Sequence, residues 1–211
     1  VARVKLSDPP TARIGACNTV LFGNGGPLGH NTDHSGFISA FEASFGKTAP
    51  GKVALVGAGG VGKAIAFALV RLGAGELRIF DTDPGKAHRL AAMLSEAGAA
   101  PRVIRATSTE EAVEHADGLV NCTPIGMSGH SGSSMERRHM VGASWAFDAV
   151  YTPVDTDFLR SAADAGLAIM TGWELFFYQG LDAFRHFTGA EVDPLSLRRV
   201  LRANDEKKLH A

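Results

Sequence analysis

Only two cysteines occur among the 211 residues, Cys17 and Cys122, and their separation matches neither a metal knuckle nor a redox pair. That scarcity excludes a disulfide-stapled scaffold and favours a reducing cytoplasm with both thiols free. No apolar run approaches the roughly 18 to 20 residues that a membrane-spanning helix needs, so no membrane role is expected. Neither sign of charge is in excess. A formal net charge of -1 leaves no basic stripe for nucleic acid. Asn121-Cys122-Thr123 has the spacing of a glycosylation acceptor, but Pro124 follows it and no secretory signal precedes it, so the match reads as chance. No internal repeat or low-complexity tract occurs. The chain opens on Val1, in a stretch that is neither a signal peptide nor a tidy domain start, and this points to a truncated chain. What is present is 45% hydrophobic and 20% charged residues, the makeup of one large globular domain or two smaller ones with small, soluble partners.

The most informative segment is Val53-Ala54-Leu55-Val56-Gly57-Ala58-Gly59-Gly60-Val61-Gly62, an apolar run that ends in glycines at G-x-G-x-x-G spacing. A strand would deliver the chain to a tight turn at Gly57. The missing side chain at Gly59 would let a pyrophosphate approach the backbone, and Gly62 would let the next helix pack closely on the sheet. The helix amino terminus then offers free N–H groups and partial positive charge. Asp81 stands where the second strand should end, placed to accept hydrogen bonds from adenosine ribose hydroxyls and to repel a 2'-phosphate. The expected cofactor is therefore NAD. NADP is disfavoured because Asp81-Thr82-Asp83 contains no arginine, although Lys86 lies nearby.

From Lys52 onward, short apolar runs alternate with helical periodicity, as in a doubly wound parallel α/β sheet of Rossmann type. Strands are expected at 52–56, 76–80, 102–106, 118–122, 144–150 and 167–170. Helices are expected at 61–72, from Asp83-Pro84 to near Gly98, from Ser108-Thr109, and at 156–165. Residues 128–142, rich in Ser, Gly and His, read as an irregular or mobile surface connection. Residues 175–187 form a strongly apolar segment stopped by Gly189, and Asp193-Pro194 starts a last helix. Before Lys52 the pattern differs: a strand at 17–22, a glycine-rich turn at 23–29, and a helix from Thr32 to Phe45. These pieces suggest the remnant of a second α/β domain. The expected division is 1–47 as the end of a substrate domain with its connecting helix, 48–172 as the NAD-binding domain, and 173–211 as helices returning to the substrate domain. The eight histidines, His30 and His34 among them, show no metal-ligand spacing beside an acid and read as surface or loop residues, so no metal is expected.

Further motifs carry a family resemblance. Gly15-Ala16-Cys17-Asn18-Thr19-Val20, Gly29-His30-Asn31-Thr32-Asp33-His34-Ser35-Gly36-Phe37, Asn121-Cys122-Thr123-Pro124-Ile125-Gly126-Met127, Asp148-Ala149-Val150-Tyr151-Thr152-Pro153 and Tyr178-Gln179-Gly180 stand in this order along the chain. Together they resemble the shikimate/quinate dehydrogenase family over nearly the whole sequence. The resemblance implies oxidation of the 3-hydroxyl of a small cyclic hydroxy acid, shikimate or quinate. Hydride would pass to NAD, and a lysine and aspartate pair would handle the proton. Asp33 matches the aspartate. Asn18, Asn31 and Gln179 match substrate-binding positions, where an amide can both donate to and accept from a polyol. Tyr151 matches a tyrosine near substrate and nicotinamide, and Asn121, Thr123 and Met127 match the loop beside the cofactor. Gly172 falls at the nicotinamide edge. The resemblance also implies a cytoplasmic enzyme, monomeric or homodimeric, of aromatic amino-acid biosynthesis or quinate catabolism.

Two features depart from the family. The sequence has no counterpart of the amino-terminal segment that carries the lysine and the carboxylate-gripping hydroxyls, and Lys5 does not sit in such a motif. Gly172-Trp173-Glu174-Leu175 replaces a segment that usually ends in Met-Leu, and Thr171 stands where aspartate is common. These departures keep two alternatives open: a non-catalytic dinucleotide-binding or regulatory module, and a related dehydrogenase acting on another cyclic acid.

Overall fold

A computed structural model describes residues 3–96 and 102–209, with backbone alone for 202–209. Its chain order is β1 (Lys5–Leu6), α1 (Pro9–Ile14), β2 (Thr19–Gly23), β3 (Gly26–His30), α2 (Thr32–Phe45), β4 (Lys52–Val56), α3 (Gly60–Arg71), β5 (Glu76–Phe80), α4 (Pro84–Glu96), β6 (Arg102–Arg105), α5 (Thr109–Val113), β7 (Gly118–Asn121), a 3-10 turn (Arg137–Met140), β8 (Trp145–Asp148), α6 (Asp157–Asp164), β9 (Ala168–Met170), α7 (Gly172–Thr188) and α8 (Pro194–Leu209). The expected end of α4 near Gly98 lies outside the described residues.

The larger sheet runs β6-β5-β4-β7-β8-β9 with every pairing parallel. Strand order reverses between β4 and β7, the crevice where open parallel sheets bind ligands. Alternation along each strand feeds two cores. Val53, Leu55, Leu77, Ile79 and Phe147 pack on one face with Ile65 and Leu69 of α3, whereas Ala54, Val56, Leu119 and Ala146 pack on the other with Phe158 and Leu159 of α6. Gly118 is required opposite Trp145, its register partner, since a Cβ there would lie 2.2 Å from the indole ring.

The smaller sheet has the order β1-β3-β2 and corrects the expectation of a turn across 23–29: only Asn24-Gly25 turns, and residues 26–30 are a strand antiparallel to β2. Pro27 is tolerated because β1 pairs only with Leu28 and Gly29, so the N–H that proline lacks is not needed by the sheet. The connection 128–142 is likewise better anchored than its composition suggested. Met135, His139 and Met140 are buried, the two methionines within the second core. His139 therefore departs from the surface reading of the histidines. Its Nδ1 accepts from the Glu136 N–H at 3.0 Å.

Helix α2 leaves the small sheet and lies on the large one. Phe37 and Phe41, one turn apart, meet Phe147 and Trp145 edge-on at 5.0 and 5.2 Å between ring centroids. This packing holds the first turn of α2, with Asp33, beside the carboxyl ends of the parallel strands.

Candidate active site

The glycine turn is built as its spacing demands. Gly57 has φ of +100°, and a Cβ there would lie 2.7 Å from the Cys122 backbone; one on Gly62 would lie 2.0 Å from the Gly57 carbonyl oxygen. Gly59 and Gly60 differ: a Cβ on either meets nothing within 4 Å, so the backbone faces open space. The helices α2, α5 and α6 are capped by the side chains of Asn31, Ser108 and Thr156, whereas α3 begins at Gly60 after an N-cap glycine, Gly59, that offers no side-chain cap. Its leading N–H groups are left for a ligand.

Asp81 lies against this turn. Its Oδ2 accepts from the Ala58 N–H and its Oδ1 from the Asp83 N–H, both at 2.8 Å. A cleft of about 440 Å³ opens there, lined by Gly57, Gly59, Asp81, Lys86, Thr123 and Ser134 among others. The residues present thus fit a dinucleotide: an open glycine cradle, an uncapped helix and a carboxylate at the ribose end. Asn121, Met127 and Gly172 stand outside the cleft lining. Asn121 is fully buried, donating to Asp148 Oδ1 at 2.8 Å and accepting from the Thr123 N–H and hydroxyl at 3.0 and 2.7 Å, so it shapes the loop that Thr123 presents. Met127 is 41% exposed. Gly172 opens α7 flush against the strand end of β8, where a Cβ would lie 2.3 Å from the Val150 carbonyl oxygen. Ala58 is buried beneath the turn and Val61 packs on the core behind it.

A second group of residues gathers where β2, β3, α2 and α7 meet. The Asn18 amide donates to Gln179 Oε1 at 3.3 Å, while its Oδ1 accepts from the Thr32 N–H at 2.9 Å. Asp33 follows in the same turn, and burial raises its carboxyl above the usual 3.8, partly offset by the Asn18 amide. Asn31 is spent otherwise. It caps α2 by accepting from the His34 N–H and donates to the Ala16 carbonyl, both at 3.1 Å, so it shapes the site from beneath. Tyr151 is 51% exposed and stacks on Phe176 of α7 at 5.1 Å. Lys5, on β1, is exposed and lines a separate hollow with Phe22 and Pro27.

Cys122, partly buried, lines the dinucleotide cleft, and desolvation, with smaller contributions from the charges of Asp148 and Asp33, pushes its thiol pKa up.

Sequence reading alone misses Gly36. A Cβ on this α2 residue would lie 2.7 Å from the Gln179 backbone nitrogen, so the glycine sets how closely α7 approaches α2. Ser35, which donates to Asp182, clamps the same seam. The signal in the sequence was the phase of Gly36, one turn before Ala40 on the buried face. Gly36→Ala is expected to move Gln179 off Asn18 and raise KM for the acid about 10-fold, with KM for the dinucleotide unchanged. Steady-state kinetics varying each substrate in turn checks this.

A family model described as NADP oxidoreductase coenzyme F420-dependent matches residues 52–139, which take in the glycine turn and the first four parallel strands. Over 190 residues the sequence is 40% identical to the quinate/shikimate dehydrogenase (NAD(+)) of Corynebacterium efficiens, an alignment covering 89% of this chain and 67% of that protein. The chain belongs to the shikimate/quinate dehydrogenase family.

The chain spans about two thirds of the length of this curated relative. Among solved structures, quinate dehydrogenase from Corynebacterium glutamicum in complex with NAD is 35% identical with a TM-score of 0.85, covering 94% of this chain and 71% of that one. Shikimate 5-dehydrogenase from Thermus thermophilus, in complex with NADP(H) and shikimate, is 34% identical with a TM-score of 0.80, covering 96% and 73%. Membership in a dehydrogenase family favours an enzyme over a regulatory module, and it makes a pyridine nucleotide the cofactor. Where this family member departs from the usual pattern, the structure gives the unusual residues a task. Glu174 pairs through both oxygens with Arg198 of α8, whose guanidinium lies 4.2 Å from the Phe177 ring centroid and 5.1 Å from that of Trp173. The altered segment stitches α8 onto α7.

Proposed function

We propose that the protein oxidises the 3-hydroxyl of quinate or shikimate, with NAD as partner, in a cleft between the glycine turn and the Asn18, Asp33 and Gln179 cluster. One observation carries the reading: Asn18 pairs with Gln179 at 3.3 Å and holds the Thr32 N–H at 2.9 Å, which gathers two polyol-type amides beside Asp33 at the start of a helix that packs on β8 through Phe37 and Phe147. NAD, when bound, supplies the hydride acceptor.

The chain's own residues do the rest. Asn18 and Gln179 already pair with each other, and each amide can both donate to and accept from ring hydroxyls. Asp33 holds or passes the alcohol proton, its burial moving the carboxyl towards the working range of a general base. Tyr151, steadied by Phe176, covers the substrate on the β8 side. In this reading residues 48–172 hold the dinucleotide, while 1–47 and 173–211 form the substrate side, and α7 is the element shared by both.

The preference for NAD over NADP rests on Asp81. Its carboxylate stands at the turn where the adenosine ribose binds, and a 2'-phosphate would meet that charge directly. NAD is expected to give at least about 10-fold higher kcat/KM than NADP, and Asp81→Ala to bring the ratio to near parity while weakening both, because the Ala58 and Asp83 N–H groups lose their acceptor. Initial rates with the two dinucleotides test this. Equal rates for the unaltered protein would sink the preference.

The overall reading is tested by dinucleotide reduction with quinate and shikimate using the intact protein. Activity that survives Asp33→Asn unchanged would remove Asp33 from it.

A further inference from the structure

The carboxyl ends of β7 and β8 are joined by a buried network that the reaction as described does not use. Asn121 and Asp148 are register partners, and both are fully buried. Asp148 Oδ1 accepts from the Asn121 amide at 2.8 Å and from the Val150 N–H at 3.0 Å. Its Oδ2 accepts from the Thr156 hydroxyl at 2.7 Å, and that oxygen in turn accepts from the Leu159 N–H to cap α6. On the other side Asn121 holds the loop of Thr123 and donates to the Ile125 carbonyl at 3.2 Å. One carboxylate thereby touches the dinucleotide loop, the strand end that leads to Tyr151, and the start of α6.

We propose that Asp148 is a positioning residue that, as a carboxylate, locks the orientation of the Asn121 amide and so couples the dinucleotide loop to the Tyr151 strand end. The inference rests on the dinucleotide reading above. An ionised carboxylate can only accept hydrogen bonds. It therefore fixes the Asn121 NH2 towards itself, which turns the Asn121 carbonyl oxygen towards the Thr123 N–H and hydroxyl. A neutral group in its place, a protonated acid or an amide, presents a donor as well, so the hold on the Asn121 NH2 weakens and only the Ile125 carbonyl and the Thr123 N–H still favour that orientation.

Among the described residues no cation pairs with this charge: its three partners are an amide, a backbone N–H and a hydroxyl. Burial accordingly raises the Asp148 pKa from 3.8 to about 6. Charged side chains on the neighbouring helices are engaged among themselves, Asp155 and Asp157 with Arg160 near α6 and Glu174 with Arg198 at α7. On the cleft side stands the Cys122 thiol, whose pKa the Asp148 charge helps to push up. A group whose folded pKa lies above its ordinary value favours the fold when protonated, and that contribution is lost as pH rises through about 6. The ionised form is thus the less stable one. Dinucleotide binding should follow the opposite course, which a merely structural role would not produce.

Calorimetric titration of NAD between about pH 5 and pH 8, with thermal unfolding alongside, tests this on the whole chain. Kd for NAD is expected to rise about 10-fold as pH falls through the Asp148 midpoint. Asp148→Asn should bind about as weakly as the acid form at every pH while melting no lower than the unaltered protein at neutral pH. Thr156→Val removes one donor to the carboxylate, so it should shift the binding midpoint to higher pH, and it serves as well if the first variant fails to fold. Unchanged affinity and pH dependence in Asp148→Asn, or an unmoved midpoint in Thr156→Val, would overturn the proposal. A flat, undetectable NAD signal from the unaltered protein at neutral pH would remove the cofactor reading itself, and the inference with it.

Discussion

Replacing Asp33 with asparagine is expected to lower kcat for ring-alcohol oxidation by about 100-fold to 10,000-fold, the usual contribution of a positioned acid or base, and to leave the affinity for the dinucleotide unchanged. The asymmetry follows from the geometry. Asp33 lies in the first turn of α2, a helix held by Phe37 and Phe41 against β8 and capped by Asn31, none of which needs the carboxylate. Asparagine keeps the shape and can still meet the Asn18 amide, but it cannot take a proton. Burial raises the Asp33 pKa above 3.8, so its contribution to stability is complete below that value and is lost as pH rises through the folded pKa. The asparagine variant should therefore melt no lower at neutral pH. The acidic limb of the kcat profile that belongs to Asp33 should vanish with it. Steady-state rates across pH, with unfolding curves for both proteins, check each part.

The second large effect separates two glycines that look alike in sequence. Gly59→Ala is expected to leave the melting temperature unchanged and to weaken NAD binding roughly 10-fold to 100-fold. A Cβ at Gly59 meets nothing within 4 Å, and its φ of -75° suits any residue, so the free protein accepts alanine. The methyl group instead enters the space where the backbone would meet a pyrophosphate. Gly57→Ala should destabilise the protein itself, by about 2 kcal/mol or more. Its φ of +100° disfavours any side chain, and the Cys122 backbone 2.7 Å from the new Cβ is pinned by the Cys122 N–H, which donates to the Val56 carbonyl at 2.7 Å. Calorimetry and thermal melts on the pair of variants read the contrast directly. Equal loss of stability at both positions would mean that Gly59 packs against protein and does not line an open cradle.

The parts of the site that were legible in the sequence are those written locally. The apolar run ending at Gly57, the spacing to Gly62 and the acid after the second strand lie within one strand, helix, strand unit, and the structure brings Asp81 onto Ala58 as that pattern requires. Asn18, Asp33 and Gln179 were reachable only through the family resemblance, because they come together across long sequence separations. What stayed hidden was how each polar group is spent. Asn31 and Asn121 look as available as Asn18, yet one caps a helix and the other is sealed against Asp148. In the same way, Gly26 and Pro27 argued against a strand because neither favours one, and the pairing to β2 overrode that local preference. Residues 128–142 looked loose because their composition is polar, while two methionines, unremarked among serines and glycines, fix the segment to the core.

The most direct test of the central claim is the initial rate of NADH formation by the intact protein supplied with NAD and either quinate or shikimate. NADH should accumulate with at least one of the acids, faster than NADPH does when NADP is supplied. A protein that binds NAD yet reduces none of it with either acid would contradict the account.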